Sequence, residues 1–329
     1  MKALVCTKYG LDKLKIEDVP KPIPGENQVL IKICASSVTT QDMVLITGKP
    51  FFVRLMTRNL LRPKLRTPGS DMTGQVEAIG RNIKQFKPGD EVYANLSECG
   101  FGSFAEYVCV PENVLALKPT NLSFEEAAAV PEAALVALQG LRDFGKIQKK
   151  QKVLIYSASG GIGTFAVQFA KYYGAEVTGV CSTRNLDLIR SLGADYVIDY
   201  TKEDFIKNGQ RYNLVMAVRN TRPVWAIKRA LVHGGIYVST AGPSISRLFQ
   251  EFFLGPQIFK DEDKKVKVIA TKLSQHDLMF IKELIESGKV KPVIDRSFPL
   301  LKTPEALRYY GKGHARGKVV ISIGRDNNN

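Results

Sequence analysis

The run Val153-Leu154-Ile155-Tyr156-Ser157-Ala158-Ser159-Gly160-Gly161-Ile162-Gly163 has the residue types and spacing to hold an anion. Its apolar start reads as a buried strand and its glycines as a turn. Apolar residues at Phe165, Val167, Phe169 and Ala170, followed by Lys171, read as a helix. Strand, glycine turn and helix in that order can bind a dinucleotide pyrophosphate, because backbone N–H groups and the helix N-terminus face the phosphates. Gly160 would let the backbone approach the phosphates, and Gly163 would let the helix pack on the strand. Ala158 stands where the first glycine of G-x-G-x-x-G is expected. The candidate contacts are Ser159, Gly160, Gly161, Ile162 and Gly163; an ordinary glycine-rich turn is the competing reading.

Residues 175–182 read as a second strand, which completes a βαβ unit. Sites for NAD place an acid about 20 residues past the glycines, on the ribose 2′-OH. Here that neighbourhood reads Cys181-Ser182-Thr183-Arg184-Asn185, with no acid before Asp187. A carboxylate would repel a 2′-phosphate, whereas Ser182, Thr183 and Arg184 can bind one. NADP(H) is therefore the expected cofactor. The alternative for Arg184 is a solvated residue opening the next helix.

These residues need a scaffold, and the 329-residue length suits two domains. Up to about residue 117 the chain is rich in short alternating strands, such as 28–33, 74–79 and 91–94, punctuated by Pro and Gly. Ser123-Phe124-Glu125-Glu126 then reads as a capping box before an Ala-rich helix. Strands expected at 153–156, 176–181, 196–199, 213–217, 235–239 and 266–270 alternate with helices and indicate a doubly wound parallel sheet, an α/β fold. The last strands, 293–298 and 318–323, return to the texture of the N-terminal region. We expect one mostly-β domain over 1–120, completed by 291–329, and a nucleotide-binding domain over 121–290. Residues 326–329 read as a disordered tail.

No apolar run is long enough to cross a bilayer, and Met1-Lys2-Ala3-Leu4-Val5 runs straight into a strand pattern, so a cytoplasmic location is the default expectation. Five scattered cysteines without C-x-x-C, and three distant histidines, suggest neither a disulfide framework nor a metal site. The formal charge is +15, densest over 49–66, which holds six basic residues and no acid. That segment could cover the active site and contact a phosphate, lie on a membrane surface, or present a solvated basic face. No nucleic-acid-binding motif accompanies the charge, and no nucleic-acid partner is expected.

Several stretches together resemble the medium-chain dehydrogenase/reductase family in its zinc-free, quinone-oxidoreductase-like branch. They are Gly69-Ser70-Asp71-Met72-Thr73-Gly74 with its continuation to Gly80, Pro88-Gly89-Asp90-Glu91-Val92, and Gly102-Ser103-Phe104-Ala105-Glu106-Tyr107. The A-x-G-G-x-G turn, Leu192-Gly193-Ala194-Asp195 and Gly317-Lys318-Val319-Val320 follow in the family's order. The resemblance spans nearly the whole chain. It implies a GroES-like catalytic domain, a Rossmann domain, a cofactor cleft between them, and a homodimer paired through the sixth Rossmann strand. It further implies cofactor contacts from Tyr200, Ala241, Gly242 and Lys318.

Departures from the family pattern carry information. Zinc-dependent members place a Cys near the position of Thr39 and a His at that of Ser70, and neither residue here is a credible zinc ligand. Relatives often read N-P-x-D where this chain has Thr39-Thr40-Gln41-Asp42, and Val136 replaces a frequent Thr. The resemblance therefore implies NADPH-dependent hydride transfer to a small electrophile, a quinone or an α,β-unsaturated carbonyl. Thr39 and Gln41 are the candidate donors to the developing negative charge. Asp42 and Asp71 are expected to hold the local fold or the ribose. The rival readings are an NADPH-binding regulatory protein with little turnover, attached to a membrane by its basic patch, and a zinc alcohol dehydrogenase.

Overall fold

The computed structural model describes residues 1–51, 54, 63, 66–219, 221–240, 246, 249–260 and 263–324. Two compact units form. The first comprises Met1–Glu132, Leu273–Gly288 and Pro292–Asn329, and the second Ala133–Lys272 and Lys289–Lys291. The boundaries differ from the expected 120/121 and 290/291, and hydrogen bonds explain why. Gln275 donates to the Leu115 carbonyl at 2.6 Å, Thr120 to Glu286 at 2.8 Å, Asn121 to the Ile285 carbonyl at 3.0 Å and Tyr93 to the Leu278 carbonyl at 2.6 Å. These bonds tie the helix Gln275–Glu286 to the β-rich unit.

Strands are numbered in chain order. In the first unit β1 (Lys2–Cys6) and β2 (Leu14–Asp18) form a hairpin. The main sheet contains β3 (Gln28–Ser37), β4 (Asp71–Ile79), β5 (Glu91–Asn95), β6 (Tyr107–Pro111), β7 (Ala116–Leu117), β14 (Ile294–Pro299) and β15 (Lys318–Ser322). Its order is β14-β15-β3-β4-β5-β7, with β6 also on β3. The C-terminal strand thus returns antiparallel to β3, as its texture suggests. Leu4, Ile31, Ile33, Met72, Phe104 and Val319 fill the core beneath it.

The second unit is an all-parallel sheet of β8 (Lys152–Tyr156), β9 (Glu176–Cys181), β10 (Tyr196–Asp199), β11 (Tyr212–Ala217), β12 (Leu231–Ser239) and β13 (Lys265–Val268). The order β10-β9-β8-β11-β12-β13 is the 3-2-1-4-5-6 arrangement of a Rossmann sheet. The strand order reverses between β8 and β11, so their C-terminal ends mark the ligand crevice of such sheets. The β10–β11 connection is a loop rather than a helix. Asp204 and Asn208 accept from backbone N–H groups two residues on, at 3.1 and 3.0 Å, which folds the chain into turns.

Local chemistry sets the helix ends near the site. Thr39 caps the helix Thr40–Thr47, with its hydroxyl accepting from the Asp42 N–H and the Asp42 carboxylate accepting from the Thr39 N–H. At the other end Arg54 donates to the carbonyls of Gly48 and Thr47 at 3.1 and 3.3 Å and lies over the Tyr9 ring. Arg54 is thus a cap on the last carbonyls rather than part of a solvated face. Arg58 and Arg62, which carry much of the basic segment, lie outside the described residues, as does the 326–329 tail.

The expected capping box at Ser123 is present, with Glu126 N–H to Ser123 Oγ at 3.1 Å and the Ser123 N–H to Glu126 Oε2 at 2.9 Å. Ser123→Ala leaves one of those donors unmet. It is expected to destabilise the first unit by about 1 kcal/mol, read as faster hydrogen exchange across the helix Phe124–Ala128.

Candidate active site

In the second unit, β8 ends in the glycine turn. Ser157 takes a left-handed backbone, φ +66°, and its hydroxyl donates to the Arg219 carbonyl beyond β11. The helix Gly161–Tyr172 starts at Gly160 with no side-chain cap, so its first N–H groups have no intrahelical partner. A Cβ on Gly160 would meet only the Ser157 carbonyl oxygen, at 3.8 Å, which leaves open room over those N–H groups. A Cβ on Gly163 would strike the Ser157 oxygen at 2.3 Å and the Ala158 backbone at 2.7 Å, so this glycine serves helix–strand packing. Ala158 fits where a glycine was expected because it faces Gly179 of β9, whose own Cβ would sit 3.4 Å from that of Ala158. The site therefore fits a pyrophosphate, and the unit is an NAD(P)-binding domain by strand order and turn.

At the end of β9, Asn185 joins two loops. Its amide donates to Ser159 Oγ at 3.0 Å and Ser182 Oγ at 3.2 Å, while its buried Oδ1 has no partner among the described residues. Sequence reasoning passed over Asn185 because it reads as a turn residue. Thr183 departs from expectation. Its hydroxyl donates to Asp199 at the end of β10, where Thr201 also donates at 2.7 Å. These hydroxyl bonds hold the Asp199 carboxyl below the usual carboxylate range. Thr183 therefore positions an acid rather than presenting its proton to a phosphate. Arg184 and Tyr200 are exposed beside it. Ala241 and Gly242 lie outside the described residues.

The first unit holds a second polar cluster, built by sheet register. Ser37, Asp71 and Asn95 occupy one rung of β3, β4 and β5. Asp71 Oδ1 accepts from Asn95 Nδ2 and from the Glu132 N–H, both at 2.9 Å, and Oδ2 accepts from Ser37 Oγ and Lys318 Nζ, both at 3.0 Å. Lys318 is thus buried in an ion pair with Asp71, not held out as a cofactor contact. Thr39, also buried, lies 2.9 Å from Asp42 Oδ2 and 3.0 Å from Ser70 Oγ. It is not an open donor to substrate, whereas Gln41 is exposed on the first turn of its helix.

Burial pushes the Asp42 carboxyl up to about 7, aided by Asp71 and opposed by the Thr39 hydrogen bonds and Lys318. Glu132 is also raised: desolvation dominates, Lys318 opposes it, and Asp71 and Asp42 add to it. For Lys318, burial disfavours the charge, but Asp71, Glu132 and Tyr310 outweigh it and the net direction is up. Glu132 was missed in the sequence because an acid after Pro131 reads as ordinary first-turn chemistry.

The comparisons with known proteins agree with this architecture. Residues 25–120 match the alcohol dehydrogenase GroES-like domain, and residues 192–321 match the family described as zinc-binding dehydrogenase. The chain is 34% identical to the chloroplastic quinone-oxidoreductase QR1 of Triphysaria versicolor, covering 98% of each. It is 36% identical to a chloroplastic NADPH-dependent alkenal/one oxidoreductase of Arabidopsis thaliana, covering 98% of this chain and 79% of that one. The quinone oxidoreductase structure from Coxiella burnetii superposes with a TM-score of 0.87 at 28% identity, over 98% of this chain and 99% of that one. The chain belongs to the medium-chain dehydrogenase/reductase family, in its zinc-free, quinone-oxidoreductase-like branch. The zinc-binding match does not reach Thr39 or Ser70, and among the described residues no group of three or more His, Cys, Asp or Glu could hold a metal ion. The expected cytoplasmic location is overturned, since relatives at this identity are named as chloroplastic or mitochondrial proteins.

Gly160→Val is expected to leave the fold intact and to weaken NADPH binding at least about 100-fold, roughly 2.8 kcal/mol. Gly163→Ala, by contrast, should destabilise the second unit by about 1–3 kcal/mol through overpacking. Calorimetric binding and thermal melts on the pair separate the two glycines' roles. For Asp42, the folded protein retains a proton that the unfolded chain loses near 3.8, so stability falls as pH rises from there to about 7. The fall is at most about 1.4 kcal/mol per pH unit. Asp42→Asn should flatten it in denaturation midpoints measured across that range.

Proposed function

We propose that this protein is an NADPH-dependent reductase that transfers hydride to a quinone or an α,β-unsaturated carbonyl. The observation that carries the reading is the open space over Gly160 at the uncapped start of the helix Gly161–Tyr172. The N–H groups of Ser159, Gly160, Gly161, Ile162 and Gly163 would hold the pyrophosphate. Ser182, whose oxygen accepts from Asn185 and so keeps its own proton to donate, would meet a 2′-phosphate together with Arg184 and Tyr200. Asp199 accepts from the Thr183 and Thr201 hydroxyls, which fixes the direction of its carboxylate at the end of β10.

Bound NADPH supplies a hydride, and the acceptor that takes it gains negative charge that protein donors must stabilise. Exposed Gln41 is suited to orient such an acceptor, while buried Thr39 acts through its neighbours. The relatives named for quinone and alkenal/one reduction support this acceptor class. The exposed edge of β13 supports pairing with a second copy, making a homodimer by sheet extension.

Arg184→Ala is expected to cost about 1.5–3 kcal/mol of NADPH affinity, roughly 10–150-fold in dissociation constant, with NADH binding unchanged. Titrating both cofactors checks the assignment, and equal losses would overturn it. Cofactor oxidation across quinones, enals and enones tests the reaction; tight NADPH binding with no turnover on any acceptor would favour the regulatory reading.

A further inference from the structure

Asn185 sits just before the helix Leu186–Ser191, where an asparagine ordinarily caps the helix with its side-chain oxygen. Here it makes no cap bond. The residue is only 4% exposed, and its Oδ1 is buried with no partner among the described residues. An unmet buried acceptor is costly, so the placement of this side chain is set by its donors.

The amide carries two N–H protons, and each has a taker. One goes to Ser159 Oγ at 3.0 Å and the other to Ser182 Oγ at 3.2 Å. Ser159 belongs to the glycine turn after β8, and Ser182 follows β9. The Asn185 backbone N–H adds a bond to the Ser182 carbonyl at 2.9 Å, which pins the second turn twice. Because β8 and β9 are parallel neighbours, both turns lie at the C-terminal edge of the sheet, where ligands of such sheets bind.

This bridge sets the direction of both hydroxyls. A serine oxygen that accepts an N–H keeps its own proton for another partner. Among the described residues neither hydroxyl proton has an acceptor. Both serines are partly exposed, while the amide that orients them is buried. A carboxylate of the same shape would instead accept from both serines, turn their protons inward and add a negative charge.

We propose that Asn185 is a positioning residue that couples the glycine turn to the turn after β9 and so sets a preference for NADPH over NADH. The inference rests on the NADPH reading. Ser159 would donate to the pyrophosphate, which both cofactors carry, and Ser182 to the 2′-phosphate, which NADPH alone carries. One amide aims both hydroxyls, so a change that frees it from one serine also loses the aim of the other. Selectivity then depends on a buried residue that touches neither phosphate.

The test is calorimetric titration of the cofactor-free chain with NADPH and with NADH, which needs no turnover. Asn185→Ala should weaken NADPH binding at least about 10-fold, the scale of a misdirected hydrogen bond to a charged group, and NADH binding far less. No loss, or an equal loss for both cofactors, overturns the proposal; the equal loss marks a purely structural role. Asn185→Asp should weaken NADPH binding further than Asn185→Ala. A smaller loss means that the amide oxygen rather than its N–H faces the serines, and overturns it too. Ser159→Ala gives a test that leaves the buried amide in place. Although Ser159 lies on the turn that serves both cofactors, its loss should lower the NADPH-to-NADH affinity ratio. The effects of Ser159→Ala and Ser182→Ala on NADPH should combine less than additively, and additive effects overturn the coupling. A wild type that binds neither cofactor, or both alike, sinks the NADPH reading and the coupling with it. One that prefers NADPH, with the ratio unchanged in Asn185→Ala, sinks the coupling alone.

Discussion

The Asp71 carboxylate is the point through which the first unit is tied together. Its four hydrogen bonds come from β3, β5, β15 and the start of the helix Pro131–Gln139. A buried ion pair gains little net stability over apolar packing, but losing one partner costs about 3–5 kcal/mol. Lys318 therefore has one acceptable place, and β15 must return to β3 to reach it. The rung shared by Ser37, Asp71 and Asn95 requires the same register across three strands, since a one-residue slip would turn these side chains to the opposite face.

The same pair governs the site's proton chemistry. Lys318 is committed to Asp71, so Asp42 and Glu132 are desolvated by burial without an ion-pair partner of their own among the described residues. Their raised proton affinity follows from this imbalance. The Thr39-to-Asp42 capping box has two consequences from one geometry. It starts the helix Thr40–Thr47, and it fixes a hydroxyl against a buried acid.

Features set by local chemistry were legible in the sequence. The Ser123 capping box, the glycine turn and the alternation of strands and helices each depend on residues a few positions apart. Features set by distant partners were not. The bond between Lys318 and Asp71 joins residues 247 positions apart, and nothing near Gly317 marks its lysine as an ion-pair partner rather than a cofactor contact. The Thr183 bond to Asp199 was hidden likewise, because the acid sits at the end of the neighbouring strand. Arg54 read as one charge in a basic run, yet its role comes from two carbonyls at the end of a helix. The domain boundary moved because Glu286 and the Leu115 and Ile285 carbonyls bind across long separations.

The altered glycine fingerprint shows how a turn can keep its geometry while its motif departs from pattern. A phosphate turn has two spatial needs: room above the helix start and close packing of helix on strand. Gly160 meets the first and Gly163 the second. The expected first glycine serves a tight turn, and here the turn is made one residue earlier, by Ser157 in a left-handed backbone. Its hydrogen bond to the Arg219 carbonyl supports that strained conformation. Ala158 can then carry a methyl group because β9 supplies Gly179 opposite it, where Ile189 also needs the room. The glycine missing from the turn has in effect moved to the neighbouring strand, so the constraint is satisfied by the pair of positions rather than by either residue alone.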